Sequence, residues 1–302
     1  MKRKKICIIG SGKMASAYAK TIKGNKKLTL TCVAARNFDR AAIFAKKHKI
    51  KVCNDISLIE QEFKPDIVIV AVTPIALLSV VKKIIKFKKC KIFLEKPIGI
   101  NFKENKEIIN ILNNEKKSKN FFILLNRRYY ESTLKAQEIL KKNVKEKRYI
   151  IIKNFHDMGD AVQNRYTKKN IRYWPYMNAI HLLDYFFIFG RLKISKIKKV
   201  FEQTIKKDKK ILIFKIFFLS GDVGIYHSHI NIKGNWSVSV HLNKLLIELK
   251  PLEKLIIKNE KLNQFFDKRK MDKKLKPGLY RMLDKMIFQN SKIDSNTNIS
   301  HS

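Results

Sequence analysis

Apolar and polar positions change rhythm once along the chain. From residue 5 to about residue 126, short apolar runs at 5–10, 28–35, 51–53, 66–72, 91–95 and 121–126 alternate with stretches of helical period. Near-continuous apolar strands separated by helices predict a parallel sheet buried on both faces. One helix is predicted over 38–48, with Asn37 as its cap and Asp39 in its first turn. Another is predicted to start at Pro74, because proline suits a first helical turn. Beyond residue 147 the pattern is different: a strand over 147–155, a polar loop from His156 to about Arg172, and an apolar helix over 175–189 ended by Gly190. Strand-like runs then follow at 197–204, 210–219, 223–232, 236–242, 244–249 and 255–258, separated by turns such as Ser220-Gly221-Asp222 and Lys233-Gly234-Asn235. The expected architecture is α/β: a doubly wound parallel sheet over 1–126, then an α+β domain over 127–302 with a mostly antiparallel open sheet. That second domain is expected to include a last helix at about 277–290, followed by a polar tail that frays.

Composition adds limits. At 302 residues the chain can build two full cores, and 45% hydrophobic content argues against disorder. The net charge of +41 is extreme, yet its lysines spread along the whole chain instead of gathering in one arm. They read as a solvated surface that draws phosphorylated ligands, not as a nucleic-acid site, since no basic helix-turn-helix, zinc finger or aromatic RNA motif accompanies them. The longest apolar stretch, 67–81, is interrupted by Thr73-Pro74, so it reads as strand, turn and helix and not as a membrane span. The basic start Met1–Lys5 resembles a signal peptide, but Gly10 and Lys13 cut short the apolar run behind it. Cys7, Cys32, Cys53 and Cys90 form no CxxC pair. Buried reduced thiols in a cytoplasmic protein are the expectation.

The first strand ends in Gly10-Ser11-Gly12-Lys13-Met14-Ala15, directly before a helical pattern. That order brings bare N–H groups against a pyrophosphate: Gly10 for the tight turn, Gly12 for close approach, small Ala15 for helix–strand packing. The helix N-terminus adds partial positive charge, and Lys13 and Met14 lie in the same binding loop. A Rossmann domain holding a dinucleotide follows. The second strand closes with Ala34-Ala35-Arg36-Asn37, which lacks the acid that holds a ribose 2′-hydroxyl and supplies a guanidinium suited to a 2′-phosphate. NADP(H) is therefore expected over NAD(H), which remains a usable cofactor.

Phe93-Leu94-Glu95-Lys96-Pro97 closes the fifth strand, where ligands of open α/β sheets bind. With Gly10-x-Gly12-x-Met14-Ala15, Thr73-Pro74 after the fourth strand, Asn126-Arg127-Arg128-Tyr129 after the sixth and His181-x-x-Asp184 in the apolar helix, the chain resembles the Gfo/Idh/MocA family of NAD(P)-dependent oxidoreductases. The resemblance covers roughly residues 4–190 in motifs and the later sheet in architecture only. It implies hydride transfer between a nicotinamide and a carbon bearing a hydroxyl or carbonyl group, on sugars, cyclitols or nucleotide sugars. It also implies a homodimer or homotetramer built on the antiparallel sheet. Lys96 would polarise the substrate oxygen and His181 would relay the proton, with Glu95, Thr73 and Pro74 beside the cofactor.

Asn178, His181 and Asp184 step by three along one helix face, with Ile180, Leu183 and Phe187 expected to pack on the other side. Asn178 and Asp184 would hold the substrate, or Asp184 would orient His181. Asn126, Arg127 and Tyr129 are expected to enter the cleft between domains as substrate-binding residues, with a salt bridge as the alternative role for Arg127. His156, Asp157, Arg165 and Tyr166 fall in the polar loop and are expected to shape substrate choice, while Trp174 lines the pocket or packs. His227 and His229 share a strand face but have no third ligand, so no metal site is expected. Two departures from the family pattern stand out: Met177 where many members carry an aspartate, and Leu77-Leu78 where many carry a histidine. Met177 motivates a rival reading, a non-catalytic dinucleotide-binding regulator of the same fold.

Overall fold

The computed structural model describes residues 2–163, 167–259, 263–266 and 274–289. The chain divides into two compact units, Met1–Asn126 with Lys274–Ser302, and Arg127–Lys273.

The first unit runs β1 (Lys4–Ile9), α1 (Lys13–Lys23), β2 (Leu28–Ala34), α2 (Phe38–His48), β3 (Lys51–Val52), α3 (Ile59–Phe63), β4 (Ile67–Val70), α4 (Pro74–Ile84), β5 (Lys91–Glu95), α5 (Phe102–Asn114) and β6 (Phe121–Leu124). The strands pair in parallel in the order β3-β2-β1-β4-β5-β6. Chain order reverses beside β1, the place where such sheets open a crevice at their carboxyl ends. Ile6, Cys7, Ile8 and Ile9 of β1 and Val68, Ile69 and Val70 of β4 are buried without alternation, as a sheet covered on both faces requires. Asn37 caps α2 as expected, its side chain accepting from the Arg40 backbone N–H at 2.8 Å. All four cysteines are free and buried.

The second unit follows a 3-10 turn at Asn126–Tyr129 and contains α6 (Glu131–Lys142), β7 (Tyr149–His156), α7 (Met158–Gln163), α8 (Lys168–Ile171), α9 (Trp174–Phe189), β8 (Ile194–Lys206), β9 (Lys209–Phe218), β10 (Val223–Ile230), β11 (Ser237–His241), β12 (Leu245–Leu249), β13 (Leu255–Asn259) and β14 (Asn263–Phe266). Its sheet has eight strands in the order β14-β13-β12-β11-β7-β10-β9-β8. All neighbours are antiparallel except β7 and β10. One face carries α9 over Ile150, Ile152, Val238 and Val240, all buried.

Four expectations need correction here. The loop from His156 to Arg172 contains two short helices, α7 and α8. The turn at Lys233–Asn235 does not close a hairpin, because β7 stands between β10 and β11 and the chain must pass across it. Gly190 ends α9 in extended geometry (φ −74°, ψ 150°) and not in a left-handed cap. It is small because a Cβ there would lie 2.3 Å from the Phe218 ring. The last helix, α10 (Leu279–Phe288), belongs to the first unit: Asn25 Nδ2 donates to Asp284 Oδ1 at 3.5 Å and the Lys27 ammonium lies 5.1 Å from the Phe288 ring centroid.

Candidate active site

In the first unit the candidate groups stand at the carboxyl ends of β1, β2, β4 and β5. Gly10 has φ +119°, and a Cβ on it would lie 2.3 Å from the Ala71 carbonyl oxygen. Only glycine allows the chain to turn this close to β4. Gly12, the residue before α1, is different: a Cβ would meet nothing within 4 Å. The backbone therefore presents open space at a helix N-terminus whose first turn has no acid, the cradle a pyrophosphate fills. Lys13 is exposed, Met14 half-buried and Ala15 fully buried under the sheet. Thr73 precedes α4 and Pro74 is its first residue. Arg36 is exposed just past β2, with no acid at that strand end. These residues fit a dinucleotide.

Glu95 and Lys96 follow one another at the end of β5, and the Lys96-Pro97 bond is cis. Tyr18 of α1 donates its hydroxyl to Glu95 Oε1 at 2.5 Å. Burial pushes the Glu95 carboxyl above its usual range, against the opposing pull of Tyr18, Lys96 and Lys276. Burial also pushes the Tyr18 phenol well up, helped by the Glu95 charge. Glu95 is thus fastened to the helix that starts at the glycine turn, and it carries Lys96 with it. Asn126, expected to touch substrate, is buried and donates from Nδ2 to the Pro277 carbonyl at 3.0 Å, which ties down the segment before α10.

In the second unit, α9 carries Asn178, His181 and Asp184. Asn178 and His181 are half-buried, and Asp184 is buried. Asp184 gives both oxygens to Arg128, which donates through Nε at 2.8 Å and Nη2 at 2.5 Å. Both of its oxygens are thus engaged by Arg128. Met177 and Tyr185, one turn either side of His181, are buried, as are Leu182, Phe186 and Phe189. Of the residues expected to pack on the other side, Leu183 is half-buried against the core and Ile180 is half-buried, whereas Phe187 is exposed and does not pack as expected. Arg127 makes no salt bridge among the described residues. Its guanidinium lies 4.4 Å from the Trp236 ring centroid, and its Nη1 is buried without a hydrogen-bond partner. Tyr129 is buried.

His156 is the last residue of β7 and is buried, so it is no loop residue. Its Nε2 lies 3.2 Å from Ser228 Oγ on β10, while Nδ1 has no partner. Burial, with the neighbouring His229, pushes its imidazole down to about 4, so it is neutral near pH 7. Asn154, two residues earlier on the same face, donates to Tyr226 Oη at 2.7 Å and leaves Oδ1 unpartnered. Trp236 donates from Nε1 to the Phe155 carbonyl at 2.8 Å. The α9-facing side of the sheet thus turns polar at the carboxyl ends of β7 and β10. Asn154, Tyr226, Ser228, Trp236 and Arg128 were not singled out as site residues in the sequence. Only Arg128, inside Asn126-Arg127-Arg128-Tyr129, had a signal there. Asp157 accepts from the Gly159 N–H at 2.8 Å, and Trp174 is the half-buried first residue of α9. Arg165 and Tyr166 lie outside the described residues. His227 and His229 do share a face, their rings 6.2 Å apart and near-parallel. A groove of about 420 Å³ opens on the other face of this sheet, beside Lys153, Phe155, Ser239, His241 and Glu248, away from His181 and Arg127.

Residues 4–122 match the model of the oxidoreductase family GFO_IDH_MocA, with an NAD-binding Rossmann fold. No curated protein matches the chain by sequence. Among solved structures, an oxidoreductase from Thermotoga maritima is similar over 99% of this chain and 92% of its own, at 17% identity and TM-score 0.76. A UDP-N-acetylglucosamine 3-dehydrogenase from Acidithiobacillus ferrooxidans is similar over 99% and 95%, at 13% identity and TM-score 0.71. The WlbA dehydrogenase of Chromobacterium violaceum, in complex with NADH and UDP-GlcNAcA, is similar over 100% and 88%, at 13% identity and TM-score 0.69. At these identities the likeness is one of fold.

Proposed function

We propose that this chain, whose residues 4–122 match the Gfo/Idh/MocA oxidoreductase family model, is an NADP(H)-dependent enzyme that moves a hydride to or from a sugar-like alcohol or ketone, with a nucleotide sugar as the preferred substrate class. The observation that carries the reading is the set of groups at the strand ends of one sheet: the Gly10–Gly12 cradle at the end of β1 and Lys96 at the end of β5, linked by the Tyr18–Glu95 hydrogen bond. The nicotinamide, when bound, supplies or accepts the hydride. Lys96 steadies the negative charge that grows on the substrate oxygen as hydride moves, and His181 takes or gives the hydroxyl proton. Arg127, whose guanidinium is oriented by Trp236, holds an anionic or polyhydroxyl part of the substrate. Asn178 lies on the same helix as His181 and supplies a neutral contact. Arg36, with no acid beside it, favours the 2′-phosphate. Similarity to enzymes of UDP-sugars supports the substrate class. Self-association through the open sheet face is what the family resemblance implies.

Two measurements test this reading. The dissociation constant of NADPH should be at least about tenfold below that of NADH, as one charge-assisted contact provides; equal or tighter NADH binding removes the NADP(H) assignment. A screen of nucleotide sugars with both cofactor redox states should find turnover, and Lys96→Met should reduce kcat by about 100-fold or more while NADPH still binds. Met177, buried where family members often carry an acid, favours one alternative: a non-catalytic dinucleotide-binding regulator. NADPH binding without turnover on any sugar in the screen would decide for it.

A further inference from the structure

Helix α9 is apolar almost all round: Met177, Ala179, Leu182, Tyr185, Phe186 and Phe189 are buried, Phe187 is exposed, and Asn178, His181 and Asp184 are among its few polar residues. A helix with a narrow apolar stripe is oriented by that stripe, but one with apolar residues on most sides is not. Leu and Phe contacts also tolerate small rotations, because apolar packing has little directional preference. What distinguishes one rotation of α9 from its neighbours is the set of directional bonds to it. Three are visible. Arg128 holds both carboxylate oxygens of Asp184. Thr133 of α6 shares a hydrogen bond with the Tyr185 hydroxyl at 3.0 Å. Arg148 donates from Nη1 to the Phe189 carbonyl at 2.7 Å, at the far end of the helix.

Asp184 and Tyr185 both lie about one turn from His181, and of their two ties only the Arg128–Asp184 pair is ionic. It is also a fork-to-fork pair, which sets angle as well as distance. Its side chains are 11% and 7% exposed, so water does not loosen it. Burial works against the Arg128 charge, yet the Asp184 hydrogen bonds and charge outweigh it and hold the guanidinium above its ordinary range. A buried ion pair adds little to stability compared with apolar residues of the same volume; its best-attested use is to select one arrangement among similar ones.

We propose that Arg128 is a positioning residue for His181: it fixes the rotation of α9 through Asp184, one helical turn away, and Asp184 acts in this tie and not in substrate binding or proton transfer. The inference rests on the reading of His181 as the proton relay, and its test is arranged so that the two fail separately.

The test uses the full chain with ring-labelled histidine, the His181 resonance being assigned from the His181→Gln spectrum. Three variants are compared: Arg128→Met, Asp184→Leu and the double variant. Each single change should lower Tm, since it leaves one buried charge alone. The double change should bring Tm back to near that of the original chain, because both charges are gone. In that stability-matched protein the His181 resonance should nevertheless move or split, as α9 samples other rotations. On the best nucleotide sugar from the screen, kcat should fall at least about tenfold, with KM and the NADPH dissociation constant within about twofold. An unchanged His181 resonance and kcat in a stable double variant overturn the proposal. If the double variant does not fold, Asp184→Asn decides: it keeps the side-chain volume and loses the charge, and it should shift the His181 resonance in the same direction. No shift there is equally fatal. A shifted resonance in a protein that turns over no sugar leaves the positioning role standing and removes the enzyme reading instead.

Discussion

The two units hold their candidate groups in place by different means. In the first, the backbone does most of the work: a glycine at positive φ against a neighbouring strand, an open helix N-terminus, and residues placed at the ends of parallel strands. In the second, buried side chains tie the elements together: Arg128 with Asp184, Asn154 with Tyr226, His156 with Ser228, and Asp222 with Arg191 and Arg148. A parallel sheet covered on both faces leaves no polar side of its own, so its ligand groups gather at strand ends. An eight-stranded sheet with one helix-covered face has room for polar side chains along the strands and must satisfy each of them. The first unit is therefore sensitive to shape, and the second to charge and protonation.

The largest expected effect is in the second unit. Asp222 is fully buried and accepts from Arg191 Nε, Arg191 N and Arg148 N at about 3.0 Å. Burial raises its carboxyl, but the Arg191 hydrogen bonds and the two backbone donors win and hold it below the ordinary carboxylate range. Its contribution to stability is therefore complete above the unfolded value, about 3.9, and is lost as pH falls through the depressed folded value. Asp222→Asn leaves Arg191 and Arg148 without their counter-charge and should cost about 3–5 kcal/mol by urea denaturation at pH 7. A loss below about 1 kcal/mol would break the contrast drawn between the units.

Next comes Gly10→Ala. Both the positive φ and the clash with Ala71 oppose the methyl group, so a loss of about 2–4 kcal/mol is expected, seen as a lower urea midpoint with unchanged slope. His156 gives a smaller, pH-dependent effect. Its folded value near 4 lies below the unfolded 6.5, so the unfolded chain takes up a proton first as pH falls. Stability from this site is present at pH 7 and declines between about 6.5 and 4, by about 1.5 kcal/mol between pH 6.5 and 5. Comparing the original chain with His156→Gln over that range isolates it; parallel pH curves would show that the imidazole is not held neutral. The smallest effect on stability belongs to Gly12→Ala. The residue is extended and its Cβ meets nothing, so stability should change by no more than about 0.5 kcal/mol. NADPH binding should still weaken by at least about tenfold, because the methyl group stands where the phosphates approach. Tight NADPH binding by that variant would remove the cradle from the proposal.

Much of the first unit could be read along the chain. The strand at 91–95 and the helix at 38–48 lie where their apolar patterns place them, and Asn37 caps as its chemistry predicts. Gly10 and Gly12 mark the turn because backbone freedom is a property of the residue itself. The helix beginning near Trp174 was also visible, because apolar length alone marks it. Its orientation was not. Nothing in His181-x-x-Asp184 says that the aspartate pairs with Arg128, 56 positions away. His156 looked like a loop residue because it borders a polar stretch, while the pairing of β7 between β10 and β11 buries it.

By itself, then, the order of residues determined where most strands and the longer helices form, which turn must be glycine, and which strand ends carry Lys96 and Arg36. Those features depend on neighbours within a few positions, through hydrophobic period, capping and allowed φ. Tertiary structure alone decided that Asp184 is tied to Arg128, that Asn126 holds the Pro277 carbonyl, that Trp236 lies under Arg127, and that the last helix joins the first unit. Each of those contacts joins segments distant in sequence, and one arginine among so many cations carries no mark of which carboxylate it will meet until the chain has folded.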